Sequence, residues 1–277
     1  MQTRTVGRLP ARITVMGAAR SGLAAARYLH EQGVSVFISD ACPADKLDFL
    51  LATNKLAHVA HEAEEHTDRV LRCDAIVLSP GIRSDLWLLR QARRRGIPVW
   101  SEMELGFRQS VAEFLAVTGS SGKSTTVSML GEIMKASGRP TVVAGNIGVP
   151  VISVAPRMPA EGVVVAEVSS FQLENIDTFR PSVAAVLNLM KNHLDRYDSE
   201  RDYYEAKKAI ATNMDPACRL VVNACDPLLR RWADEMAAKT NIGFFGRSEA
   251  GYPCVWCRDG AIVAADTSGV ERHVLDT

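Results

Sequence analysis

The stretch VTGSSGKSTT, residues 117–126, gathers two glycines, a lysine and a run of hydroxyls directly after an apolar run. Gly119 and Gly122 let such a loop curl so that backbone N–H groups face inward toward an anion. Lys123 brings positive charge to the β- and γ-phosphates of a nucleotide. Ser124, at the head of the following helix, offers a hydroxyl ligand for Mg²⁺. The full phosphate-loop pattern G-x-x-x-x-G-K-[ST] calls for glycine at 117, where this chain has Val117. The shorter T-G-x-x-G-K-S-T remains. A strand, the two glycines, Lys-Ser-Thr and a helix still follow in order, so a bare turn without a ligand is the weaker alternative.

Two later apolar runs also end in polar residues. VVVAEVSSFQLE places Glu167 at the close of a strand-like run. Burying that carboxylate costs several kcal/mol unless a cation or hydrogen-bond donors meet it. Mg²⁺ and a salt bridge both answer that requirement. VLNLMKNHLDRY places His193 and Asp195 just beyond the next run. A histidine beside a phosphate site is a candidate for function, although lone histidines are usually structural. In DYYEAKKAIATNM, Tyr203, Ile210 and Met214 form a stripe at helical spacing that includes Lys207 and leaves out Lys208. A lysine aimed at a core needs a partner or a changed charge, unless it snorkels to solvent.

These residues need elements to position them. RITVMG, VSVFISD, CDAIVLSPG and IPVW read as strands, with SGLAAARYLHEQG and DLWLLRQARRRG as helices between them. That alternation predicts a parallel sheet with helices on its faces. The segment SEMELGFRQS is expected to lead into a second unit. There EFLAVTG is a strand and KSTTVSMLGEIMKASG a helix with Val127, Leu130 and Met134 on one side and Gly138 as its stop. EGVVVAEVSS and PSVAAVLNL read as strands buried on both faces. RDYYEAKKAIATNM reads as a helix, and RLVVNA and GAIVAAD as further strands.

In the first unit GAARSG resembles the dinucleotide fingerprint with its middle glycine replaced by Ala19. A methyl group there weakens a nicotinamide or flavin reading, because that glycine lets backbone approach a pyrophosphate closely. The helix N-terminus still offers N–H groups to a diphosphate of another kind. Alternatively, Gly17 and Gly22 only permit tight strand–helix packing. Asp40 closes the second strand, and SPG (Ser79 to Gly81) ends another on the edge where crevice ligands bind.

The chain has 277 residues, 47 % hydrophobic and 23 % charged, with 32 basic and 32 acidic side chains. That length has room for two domains, and the charge balance argues against a nucleic-acid partner. No apolar run approaches the roughly 20 residues of a membrane span, and the first residues lack the apolar core of a secretion signal. The six cysteines are scattered, and reduced thiols in the cytoplasm are expected. Cys254 and Cys257 form one C-x-x-C, but the seven-residue spacing of Cys218 and Cys225 does not complete a zinc knuckle. His58, His61 and His66, among Glu62, Glu64 and Glu65, read as a solvated acidic turn or helix.

Taken in order, VTGSSGKSTT, GNIGVP (145–150), EVSSFQLE (167–174), NHLDRY (192–197) and YYEAKKAI (203–210) resemble the Mur ligase family, and GAARSG and LSPGI fit it too. The resemblance covers nearly the whole chain. It implies a Rossmann-like UDP-sugar domain over residues 1–103 and a P-loop ATPase-like α/β central domain over 104–277. ATP would be held by Gly119, Ser120, Ser121, Gly122, Lys123, Ser124 and Thr125. Ser124 and Glu167 would bind one Mg²⁺. His193 and a CO₂-carbamylated Lys207 would serve a second, and Lys123, His193 and Lys207 are the expected catalytic residues. Asn146, Ser169 and Gln172 would line a substrate channel, while Arg20, Ser21, Asp40 and Ser79 would receive the UDP sugar. The implied reaction is cytoplasmic amide ligation in peptidoglycan precursor synthesis, which joins D-glutamate to UDP-N-acetylmuramoyl-L-alanine through an acyl phosphate. A monomer is the expected state.

Three features depart from the family pattern. The loop has serines after Gly119 where threonine and asparagine are common. Lys191 and Asn192 stand before His193 where an acid is common. The histidine–asparagine motif and the third domain that the resemblance calls for lie outside these 277 residues. Little or no complete turnover is therefore expected from them alone, and the alternative expectation is nucleotide and UDP-sugar binding without ligation.

Overall fold

The computed structural model describes residues 5–192, 196–249 and 251–276. The chain forms two compact units. One comprises residues 1–112, 139–164 and 171–179, the other 113–138, 165–170 and 180–277.

The elements of the first hundred residues are β1 (Arg12–Met16), α1 (Arg20–Glu31), β2 (Ser35–Ser39), α2 (Ala44–Thr53), β3 (Ala60–Glu62), β4 (Ala75–Leu78), α3 (Trp87–Arg94), β5 (Val99–Ser101) and α4 (Glu102–Arg108). The five strands pair in parallel in the order β3-β2-β1-β4-β5, so the order reverses between β1 and β4. In such sheets ligands bind at the carboxyl ends beside the reversal. Val36, Ile38, Val15, Ala75 and Val77 are buried together with Leu23, Ala26 and Leu29 of α1. The segment read as an acidic turn or helix instead contains β3. Glu62 is buried there, because this short edge strand completes the sheet. The three histidines of that segment part company: His58 meets His30, His61 meets Asp48 and His66 meets Ser39.

The β1–α1 turn is tight. Gly17 has φ +93°, and the Ser79 hydroxyl donates to its carbonyl at 2.9 Å. A Cβ on Gly22 would lie 1.8 Å from the Gly17 oxygen, so glycine is required by packing. Gly22→Ala is expected to cost about 3 kcal/mol or more, as overpacking against backbone does. Thermal unfolding checks this, and a loss under about 0.5 kcal/mol would contradict the packing.

Further along come β6 (Glu113–Thr118), α5 (Lys123–Ala136), β7 (Thr141–Gly145), α6 (Val151–Val154), β8 (Val163–Glu167), α7 (Ser170–Leu173), β9 (Val183–Val186), α8 (Glu200–Lys208), β10 (Arg219–Asn223), α9 (Pro227–Met236), β11 (Asn241–Phe245), β12 (Cys254–Arg258), β13 (Ala261–Ala265) and β14 (Glu271–Asp276). They make a nine-stranded sheet, β14-β13-β12-β11-β10-β9-β6-β8-β7. Pairs β6–β9, β9–β10, β10–β11 and β11–β12 are parallel, and β12 to β14 form an antiparallel meander. The fold is thus α/β, with one parallel and one mixed sheet.

SEMELGFRQS lies just before the second unit, which begins at Glu113. It folds as α4 within the first unit, and the expected boundary between 103 and 104 falls inside that helix. Glu104 of α4 is fully buried. It accepts from Arg108 Nε (2.7 Å), from the N–H groups of Asp177, Thr178 and Phe179 (3.1, 2.9 and 2.9 Å) and from the Thr178 hydroxyl (2.7 Å). A buried charge met by this many donors is well compensated.

Candidate phosphate-binding site

In the second unit β6 runs into the loop 119–122 and then into α5. Gly119 takes φ +151° and Gly122 takes φ +80°. A Cβ at Gly119 would crowd Leu187 at 3.0 Å. The loop is held from outside by Asn188. Its Oδ1 accepts from Ser120 N–H (3.0 Å) and Ser121 N–H (2.9 Å), and its Nδ2 donates to the Ser121 carbonyl. The Ser120 hydroxyl donates to the Met190 carbonyl and accepts from the Tyr203 hydroxyl. The inward-facing amides expected at 120 and 121 are therefore engaged with Asn188. The first-turn N–H groups of α5, which have no intrahelical partners, are the donors left for an anion. Asn188 was missed in the sequence, although it ends an apolar run just as Glu167 does.

Two lysines converge on one oxygen. Lys123 Nζ and Lys207 Nζ each donate to the Gly119 carbonyl at 2.9 Å. Lys207 is 2 % exposed, and its Nζ lies 4.6 Å above the Tyr203 ring. The predicted stripe is present, since Tyr203, Ile210 and Met214 are all buried with it. Burial, then the nearby Lys123 charge, pull the Lys207 amine down to about 7 against the attraction of Glu167. Snorkelling is excluded: the buried amine has a partner in the Gly119 carbonyl and a pKa drawn down to about 7.

Glu167, at the end of fully buried β8, is 1 % exposed, and the Ser124 hydroxyl donates to its Oε2 at 2.8 Å. Two hard oxygen donors side by side suit Mg²⁺. Thr125 is exposed in the first turn of α5. His193 and Asp195 lie outside the described residues. Ser169 is half-buried in this unit; Gln172, buried in α7, and Asn146, exposed after β7, belong to the other.

In the first unit Arg20 is exposed and Ser21 half-buried at the start of α1. Asp40 accepts from the Ala18 and Cys42 N–H groups. Burial pushes its carboxyl up, but those bonds outweigh it and hold the pKa below the ordinary value. Ser79 is buried, with its hydroxyl spent on Gly17. Glu102 is fully buried and accepts from Ile152 N–H at 2.6 Å; burial pushes it up to about 7, against that bond and the Arg20 charge.

The fold and the loop define a P-loop-type α/β protein with a lysine buried behind its glycine turn. The chain belongs to the Mur ligase family: residues 117–274 match the Mur ligase middle domain, and residues 11–101 match the Mur ligase MurD-like N-terminal domain. It is similar to the UDP-N-acetylmuramoylalanine–D-glutamate ligase of Pelotomaculum thermopropionicum, with 38 % identity over 92 % of this chain and 56 % of the relative. The enzyme of that name from Halalkalibacterium halodurans is 43 % identical over 82 % of this chain and 50 % of its own length. The chain spans about half the length of the curated relatives it matches. Among solved structures, the UDP-N-acetylmuramate:L-alanyl-gamma-D-glutamyl-meso-diaminopimelate ligase from Neisseria meningitides shares the fold. Its TM-score is 0.57, at 17 % identity, over 94 % of this chain and 85 % of that one. Among the described residues no helix is long and apolar enough to cross a membrane.

Proposed function

We propose that this chain carries the UDP-sugar and ATP sites of a cytoplasmic, monomeric ligase that joins D-glutamate to UDP-N-acetylmuramoyl-L-alanine in peptidoglycan precursor synthesis. The observation that carries this reading is the meeting of Lys123 and Lys207 on Gly119, beside the Ser124–Glu167 pair. The relatives' name, UDP-N-acetylmuramoylalanine–D-glutamate ligase, supports the choice of substrates. Residues 1–103 supply the UDP-sugar contacts Arg20, Ser21, Asp40 and Ser79. Gly119 to Thr125 supply the ATP contacts, and Asn146, Ser169 and Gln172 are assigned to the sugar peptide.

The α5 first turn holds the ATP phosphates, and Lys123 leaves its loop carbonyls to neutralise them. Ser124 and Glu167 hold Mg²⁺, which when bound spreads the charge of the transferring phosphate. The L-alanine carboxylate attacks the γ-phosphorus, the bond to ADP breaks, and an acyl phosphate forms. The D-glutamate amine then attacks the acyl carbon, phosphate leaves, and the nitrogen loses a proton. Lys207, lowered to about 7, has a neutral fraction that attacks CO₂ and releases a proton. The product is a carbamate anion able, with His193, to serve a second Mg²⁺.

Calorimetric titration with ATP–Mg²⁺ and with UDP-N-acetylmuramoyl-L-alanine tests the reading, and both are expected to bind. Nucleotide binding without any affinity for the sugar substrate would sink the D-glutamate assignment. ADP release that requires both the sugar substrate and D-glutamate would mark turnover. Binding of both ligands without it would favour the binding-only alternative.

A further inference from the structure

The carboxyl edge of the first unit holds a polar relay for which the mechanism has no use. Glu62, closing β3, is 8 % exposed. Its Oε1 accepts from the Ser39 hydroxyl (2.7 Å) and Thr67 N–H (2.9 Å), and its Oε2 accepts from the Thr67 hydroxyl (2.6 Å). Burial pushes this carboxyl up, but the Thr67 and Ser39 donors and Arg69, 3.9 Å away, outweigh it, so Glu62 is ionised. An ionised carboxylate only accepts. The single Ser39 proton therefore goes to Glu62. Ser39 Oγ also lies 2.7 Å from His66 Nδ1, and that contact must take its proton from the ring.

The relay thus fixes the tautomer: Nδ1 carries hydrogen, and a neutral ring then has a bare Nε2. The charged groups facing the ring are Asp40 at the end of β2 and Glu62 on β3. Burial lowers the ring's pKa by more than these two raise it, so it is neutral at pH 7. His66 is half-buried, and its Nε2 makes no hydrogen bond to the described residues. Each oxygen of Asp40 already accepts a backbone N–H.

In a sheet of this order the diphosphate sits at the first helix N-terminus, and the acid ending the second strand lies beside the ribose. By that rule a nucleoside bound at this edge would extend beyond Asp40 toward β3. We propose that His66 is a recognition residue for the nucleoside of the UDP sugar, its bare Nε2 accepting a hydrogen bond from uracil N3–H or a ribose hydroxyl. This rests on the UDP-sugar reading given above.

The test uses UDP titrated into the 277-residue chain. His66→Asn keeps a donor where Nδ1–H stands, so the relay and fold survive while the acceptor is lost. It is expected to bind UDP about tenfold more weakly, the worth of one hydrogen bond. His66→Gln, which can set an amide oxygen near the Nε2 position, is expected to recover most of that. Of 3-methyl-UDP and 2′-deoxy-UDP, the analogue lacking the true donor is expected to bind the wild type about tenfold more weakly and the Asn variant with no further loss. Nitrogen-15 spectra of the free chain are expected to show His66 protonated at Nδ1. Equal UDP affinity of wild type and His66→Asn overturns the inference and leaves the UDP-sugar reading standing, as does a ring protonated at Nε2. A wild-type chain that binds no UDP overturns both.

Discussion

Replacing Lys207 by methionine is expected to stabilise the chain against unfolding at pH 6 by on the order of 3 kcal/mol, and to lose that advantage as the pH climbs toward 10. The folded chain holds this amine near 7, against an ordinary value of 10.5. Between those values the unfolded chain binds the extra proton, so wild-type stability rises with pH across that window. Below it both states are charged, and the folded state carries the whole cost of a buried ammonium. Methionine carries none, fills similar volume, and leaves the Gly119 carbonyl with Lys123 as donor. Urea unfolding at pH 6, 8 and 10 reads the difference. A variant equally destabilised at all three would show that the lysine is well accommodated as a cation. The same variant lacks the amine proposed above to take up CO₂, so any sugar-dependent ADP release by the wild-type chain is expected to be absent from it.

Lys123→Ala is expected to weaken ATP–Mg²⁺ binding about 100-fold, the worth of a charge-assisted contact of about 2 to 3 kcal/mol. Nζ bridges the Gly119 and Ser120 carbonyls at 2.9 and 3.5 Å, the place a phosphate oxygen would contest. Asn188 holds the loop independently, so unfolding free energy should move by less than about 1 kcal/mol. Calorimetry of wild type and variant decides, and equal affinities would remove Lys123 from the site. Because Lys123 is one cause of the lowered Lys207 pKa, its loss should also return that amine toward its ordinary value.

Much of this was legible in the chain because apolar runs punctuated by glycine carry the parallel strands and the loop between β6 and α5. Lys207 was legible for a different reason: helical spacing put a cation in an apolar stripe, and the fold buries it there. Glu167 stood out as an acid ending an apolar run. What escaped depended on contacts far apart in sequence. Asn188 clamps residues 68 positions earlier. β3 has only three residues and borrows its order from β2, so local pattern read it as a solvated turn. Glu104 looked like part of a passage between domains, because its partners at 177–179 lie over 70 residues downstream.

That last separation bears on how the molecule is made. The first compact unit draws in residues 139–164 and 171–179, with 113–138 and 165–170 belonging to the other. On a ribosome the N-terminal sheet can pair early, yet the Glu104 carboxylate stays without most of its donors until Phe179 has emerged. Domains usually close in the order in which they are synthesised. Here the earlier one must wait for its neighbour's strands to be translated, and a nascent chain halted before residue 180 would expose a half-finished core to chaperones.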